Sequence, residues 1–306
     1  MVSIALDQDQ LWREEYRAHR YLEFATPEVL QQRLIDITEN SFVIDRYGKF
    51  STRPDATEWL RLITHINEEI VLRNIEVQVP IPPTYFNAAR AAQLWDPLSL
   101  PYGSYLLKLG KRQHIFPLFT KGLIRVSPAE TYNDAKLGDA VADNEKEFMQ
   151  ESIGATVSFP PNRDYSLPRD QWITTSIIGT LKNTQTYTGQ AYMACLSRKY
   201  DCRLFEDFGY DSCVVIRDPL RFLKAMKEAG EALLPGFQFY FDAVRYRDPL
   251  QPRPEGDVLY TKHFRFTYQD EFRLTWKREP VAGEPPLPPI FFEMGPLTDY
   301  CDYLVL

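Results

Sequence analysis

Apolar positions recur along this chain with two different periods, and the change between them organises everything that follows. Thr26-Pro27-Glu28 is a helix start, a hydroxyl cap followed by Pro at the first helical position, and Val29, Leu30, Leu34 and Ile37 follow near helical spacing. Asp55-Ala56-Thr57-Glu58 reads as an acidic variant of the capping box. It leads into Trp59, Ile63, Ile66 and Ile70, an apolar stripe of helical period. Ser41-Phe42-Val43-Ile44 between these helices predicts a short strand. His65 lies beside the stripe and is expected to be structural. Val79-Pro80-Ile81-Pro82-Pro83 cannot continue a helix, because Pro lacks a donor and fixes φ, so an extended connector is expected there, then a short helix over 87–94.

From residue 105 the pattern becomes short strands separated by helices. Tyr105-Leu106-Leu107-Lys108-Leu109 is strand-like, a short helix ending at a Gly122 cap follows, and Leu123-Ile124-Arg125-Val126 is a second strand. Residues 155–185, rich in Thr, Asn, Pro and Ser, read as loop with one strand over 172–178. Strands are expected over 192–197, 212–217, 237–241, 243–246, 272–276 and 290–293, an amphipathic helix over 220–233, and a short segment at the C-terminus. The prediction is an α+β protein: a mainly helical region over 1–100, and a mixed sheet with flanking helices over 101–306.

Composition narrows the function classes. Of 306 residues, 44% are apolar and 25% charged, which excludes a disordered chain. The 19 Phe, 18 Tyr and 5 Trp promise a sizeable core. A net charge of −7 argues against bulk nucleic-acid binding, which needs clustered cations. The apolar runs hold only a few residues against the roughly 20 that a bilayer span needs, and the first residues show no basic, apolar leader; the expectation is a cytoplasmic protein with no membrane partner. Cys195, Cys202, Cys213 and Cys301 fit no CxxC spacing, and the four His are scattered, so no zinc site and no metal is expected. The cysteines read as buried thiols, with a Cys195–Cys202 disulfide or a reactive thiol as the alternative. No Walker loop, GxGxxG, HExxH or GxSxG is present.

Four segments carry what chemistry there is. They are the strand with Lys108; Gly122 to Val126 followed by Ser127-Pro128 and by Asn133-Asp134; Cys195-Leu196-Ser197 with Phe205, Phe208 and the strand at 213–216; and Tyr260-Thr261-Lys262 with Tyr268 and Asp270-Glu271-Phe272-Arg273. In order and spacing they resemble a bacterial domain family of unknown function, over about 104–276. In that family a Trp and a Tyr stand where this chain has Phe205 and Phe208, and a Pro stands where it has Ala135. A Lys on one strand, a ring before another and a Glu on a late strand resemble in turn the layout of the ADP-ribosyltransferase-like fold, a fold analogy only. The resemblance implies an NAD-consuming bacterial enzyme of the toxin, effector or phage-defence kind. In it Lys108 or Arg112 binds NAD, Phe208 or Tyr210 stacks on nicotinamide, and Glu271 stabilises the oxocarbenium-like charge as nicotinamide leaves. Arg273 joins Glu271 as a catalytic candidate, and Asn133 and Asp134 join the cofactor-binding set. Bland alternatives stand beside each: a turn for Asn133-Asp134, cross-strand pairing for Glu271 and Arg273, core packing for Phe205 and Phe208, solvated pairs for Lys262-His263 and Lys111-Arg112. Lys108 between leucines must face solvent, a cleft or a carboxylate, because an unpaired buried ammonium is costly. Two other functions remain open: a non-enzymatic module binding a protein or a nucleotide, and a nuclease-like toxin holding a divalent metal with Asp134, Glu145 and Glu271.

Overall fold

A computed structural model describes residues 7–44, 47, 49–53, 56–78, 85–133, 144–154, 156–159, 161, 166, 168–176, 180–251, 256–280, 283 and 285–306. The fold is α+β. The chain opens with α1 (Gln8–Ala18) and α2 (Pro27–Ser41), then a hairpin of β1 (Phe42–Ile44) and β2 (Phe50–Thr52), then α3 (Thr57–Arg73) and α4 (Ala88–Trp95). Next come β3 (Leu106–Gly110), α5 (Arg112–Lys121), β4 (Leu123–Pro128), β5 (Glu147–Ile153), β6 (Thr156–Phe159), β7 (Ile173–Ser176), β8 (Thr180–Thr186) and β9 (Gln190–Ser197). The last part holds α6 (Arg203–Asp207), β10 (Ser212–Ile216), α7 (Pro219–Leu233), β11 (Gln238–Ala243), β12 (Arg245–Arg247), β13 (Thr261–His263), β14 (Glu271–Arg278), β15 (Ile290–Glu293) and β16 (Cys301–Val305).

Local chemistry explains most of these boundaries. Thr26 caps α2 through a bond from the Val29 N–H, and Pro27 sits at its first turn. Gly122 ends α5 in the left-handed conformation (φ 67°), and a Cβ there would meet the Gly295 carbonyl. The expected capping box of α3 does not form: Ala56 is its cap and makes no side-chain bond, while Asp55 lies outside the described residues. So do the whole Pro-rich connector over 79–83 and residues 155, 160, 162–165, 167 and 177–179. The described parts of 155–185 are largely strands, paired β5 with β8 and β6 with β7. The exposed stretch Thr180–Thr186 is polar on both faces, so it lacks the alternation that would have marked it. The C-terminal segment is also a strand, β16, and α1 is a helix with its own capping box between Asp7 and Gln10.

Eight strands form the main sheet, in the order β11-β14-β9-β3-β10-β16, with β4 also on β9 and β15 on β4. Every pairing in it is antiparallel. One core cluster packs Ile115 and Leu118 of α5 and Phe222 and Met226 of α7 against Leu106, Val214 and Trp276. Another packs α4 and Phe205 against Leu107, Cys213 and Val215, as the two-residue period of a strand covered on both faces requires.

The helices α1, α2 and α3 form a third cluster around Leu30, Ile37 and Ile66, which also takes in Phe264. Arg33 ties this region to the rest through Asp248 (2.5 Å), and Asn40 holds the Arg265 carbonyl and the Tyr268 N–H. Between α1 and α3 runs a charged seam. Glu68 receives Arg13 (2.8 Å) and Arg17 (2.7 Å), and Glu69 receives Arg20 (2.9 Å) and the Tyr16 hydroxyl (2.5 Å). His65 is buried among the rings of Tyr16 and Tyr21, a structural position.

Candidate functional site

The main sheet forks at β9. On one edge β9 pairs with β14 along its whole length. On the other edge β3 reaches it only at Leu107↔Ser197, and β4 only at Ser127↔Met193 and Pro128↔Tyr192. Between Met193 and Ser197 that edge therefore has no strand partner, and a backbone carbonyl there needs another donor. Lys108 of β3 supplies it: its Nζ donates to the Cys195 carbonyl at 2.8 Å. The ammonium thus sits in the opening of the fork, half-buried, and burial lowers its pKa.

A cavity of about 160 Å³ lies at this fork. Lys108, Tyr132, Cys195, Phe208, Tyr210 and Glu271 line it, together with Lys262, Glu145, Gln269 and Ser197. Its volume is close to the about 150 Å³ of an engineered cavity that takes up benzene, so it holds one aromatic ring. Phe208 closes α6, and its ring stacks on Tyr210 at 5.2 Å and 10°. Both rings are half-buried. Burial raises the Cys195 thiol and the Tyr132 phenol, so both stay protonated at neutral pH.

Glu271 opens β14, and the residue before it turns the chain. Asp270 is left-handed (φ 40°), its carboxylate fixed by Arg198 at 2.5 Å. That conformation is uncommon for a side-chain-bearing residue, Asp being among the more tolerant. Glu271 and Arg273 then project from one face of the strand, two residues apart. Arg273 Nη2 meets Glu271 Oε2 at 3.0 Å and Glu145 Oε2 at 2.5 Å, while Nη1 donates to the Leu259 carbonyl at 2.7 Å. Lys262 Nζ lies 3.4 Å from Glu271 and 3.6 Å from Glu145, and donates to Gln269 Oε1 at 3.1 Å. Burial opposes ionisation of Glu271, but the charges of Arg273 and Lys262 outweigh it, so its carboxyl lies below the ordinary carboxylate range.

The structure thus brings Lys108, Phe208, Tyr210 and Glu271 to one cavity. It does not bring the other sequence-derived candidates there. Arg273 has no exposed surface and touches carboxylates rather than the cavity, so it is a positioning residue for Glu271. Arg112 starts α5 with an exposed side chain outside the cavity lining, and its backbone N–H donates to Asp211 (2.6 Å). Asn133 ends a short turn with its side chain exposed, and Asp134 lies outside the described residues. Lys262 is no solvated partner of His263: it is 4% exposed and neutralises the carboxylates. Its place follows from the parallel pairing of β12 with β13, a long-range fact with no local signature. Gln269 carried no signal of its own, and Tyr132 and Ser197 stand within the resembling segments without a role assigned to them. Glu145 reaches Glu271, but Arg273 and Lys262 stand between the two carboxylates; among the described residues no group of three or more His, Cys, Asp or Glu could hold a metal ion. All four cysteines are free, so the Cys195–Cys202 disulfide does not form. Among the described residues no helix is long and apolar enough to cross a membrane.

No protein-family model, no curated protein and no solved structure matches the chain.

Proposed function

We propose that this protein is an NAD-processing enzyme of the ADP-ribosyltransferase-like kind, with the fork cavity as its reaction site. One observation carries the reading: a cation, a stacked pair of rings and an ionised acid, drawn from β3, the α6–β10 segment and β14, line the same ring-sized cavity. The resemblance of the four sequence segments supports it independently. In this reading the pyridine ring of NAD enters the cavity against Phe208 and Tyr210, and the rest of the dinucleotide lies beyond it. The bond between the ribose C1′ and the pyridine nitrogen breaks, nicotinamide leaves with the electron pair, and C1′ gains positive charge. Glu271, kept ionised by Arg273 and Lys262, faces that charge and stabilises it. Water or an acceptor hydroxyl or amine then adds to C1′ and releases a proton.

The test is direct. NAD raises the melting temperature of the wild-type protein, and nicotinamide is released on incubation. Glu271→Gln lowers the release at least about 100-fold while the NAD-induced stabilisation remains. Turnover unchanged in Glu271→Gln removes the catalytic role. Absence of NAD binding to the wild-type protein rejects the reading, and binding without turnover turns it into a nucleotide-binding module.

A further inference from the structure

The charges around the cavity are unequally partnered. Glu145 and Glu271 both meet Arg273 and both lie beside Lys262. Lys108 stands apart. Its hydrogen-bond partner is a neutral carbonyl, that of Cys195, and among the described residues no carboxylate lies within ion-pairing distance of it. A half-buried ammonium in a ring-sized cavity, hydrogen-bonded to a neutral carbonyl and with Glu271 acting on it only from beyond ion-pairing distance, is under-stabilised. A ligand carboxylate would complete it, because a charge-assisted hydrogen bond is about twice as strong as a neutral one. Glu271 does not oppose such a ligand, since Arg273 and Lys262 already balance it.

We propose that the cavity selects an aromatic ring bearing a carboxylate over the same ring bearing a carboxamide, with Lys108 as the residue that decides. This rests on the reading that the pyridine ring of a dinucleotide enters the cavity, and ranks two forms of that ring: pyridine-3-carboxylate is held more tightly than the nicotinamide of NAD. The two rings have nearly the same shape, and Phe208 and Tyr210 stack on either. Discrimination therefore falls to the group that meets Lys108. The carboxylate accepts from the ammonium and neutralises it. The carboxamide oxygen accepts from the ammonium without neutralising it.

Calorimetric titration of the wild-type protein with matched pairs tests this: nicotinate against nicotinamide, and nicotinic acid adenine dinucleotide against NAD. The acid of each pair is expected to bind at least about tenfold tighter than its amide, the difference between a charged and a neutral hydrogen bond. Lys108→Met abolishes the preference while thermal unfolding stays cooperative, and Lys108→Arg retains part of it. Binding of free nicotinate marks a small aromatic acid as sufficient; binding of the acid only as its dinucleotide marks the dinucleotide as the source. Equal or tighter binding of the amides overturns the inference and leaves the NAD reading in place, as does an acid preference that survives Lys108→Met. Failure of all four compounds to bind overturns both.

Discussion

The α1–α3 seam and the fork each join a pair of buried carboxylates to arginine, and they are built for different ends. In the seam between α1 and α3, Glu68 and Glu69 are buried, but their partners Arg13, Arg17 and Arg20 are 30–48% exposed. At the fork, Glu145 and Glu271 meet an arginine with no exposure and a lysine at 4%. The seam is an interhelical clamp with charges fed from solvent. The fork keeps its ion pairs away from water, opens a ring-sized space beside them, and adds a third cation that among the described residues has no carboxylate within ion-pairing distance. A salt bridge alone therefore says little about function; what distinguishes the fork is the space and the unequal partnering around it.

The largest expected difference between the two comes from removing the arginine. Arg273→Met removes the guanidinium that Glu145 and Glu271 share, and deleting one partner of a buried pair costs about 3–5 kcal/mol. Urea denaturation of this variant is expected to show a loss of that size. A loss below about 1 kcal/mol would place the fork with ordinary surface pairs and remove the argument that Arg273 holds Glu271 in place.

Sequence patterns disclosed one side of this comparison better than the other. Strong alternation and caps marked β3, β9, β10, β14, α2 and α7, and with them Lys108 and Glu271, because those residues stand on strands whose apolar neighbours announce themselves. Phe208 and Tyr210 were legible as rings beside a strand, though not as a stacked pair. Lys262 was not legible: Tyr260-Thr261-Lys262-His263 carries no periodicity, and its burial depends on β12 pairing in parallel with β13. Arg273 was read as a group for chemistry, since the sequence fixes only that it shares a face with Glu271. Its burial comes from Glu145, distant in sequence, closing over it. The seam is not legible in the sequence, because the burial of Glu68 and Glu69 depends on arginines from a distant part of the chain.

A smaller effect is expected along the pH axis. Burial raises the Glu271 pKa, but Arg273 and Lys262 more than offset this, so its folded value lies below the ordinary 4.5. A carboxyl lowered on folding adds stability that is fully present above its unfolded value and is lost as pH falls through the folded one. Glu68 has the same sign: burial works against its charge, Arg17 and Arg13 reverse that, and its pKa is lowered. Asp201 and Asp207 run the other way, because burial raises them, so their protonation favours the fold. Wild type is therefore expected to lose stability more steeply below pH 4.5 than Glu271→Gln, which has no proton to take up at that site. Denaturation curves at pH 6, 4 and 3 check this; parallel curves for the two proteins would mean that Glu271 is not held ionised in the fold.

The smallest effect is expected in the seam itself. Arg20 holds Glu69 through Nη2 (2.9 Å) and Nε (3.2 Å), but its side chain is 30% exposed. Glu69 also keeps the Tyr16 hydroxyl at 2.5 Å and the Arg73 guanidinium at 3.8 Å. Removing one of three partners, and that one screened by solvent, leaves no orphaned charge of the kind Arg273→Met creates. Arg20→Ala is expected to cost less than about 1 kcal/mol in urea denaturation, and the difference from wild type should shrink further at high salt. The contrast with Arg273→Met isolates the variable that matters, which is whether water and alternative partners can take over the carboxylate. A loss in Arg20→Ala as large as in Arg273→Met would show that exposure of the arginine is not what sets the two sites apart, and the distinction would then have to rest on the cavity alone.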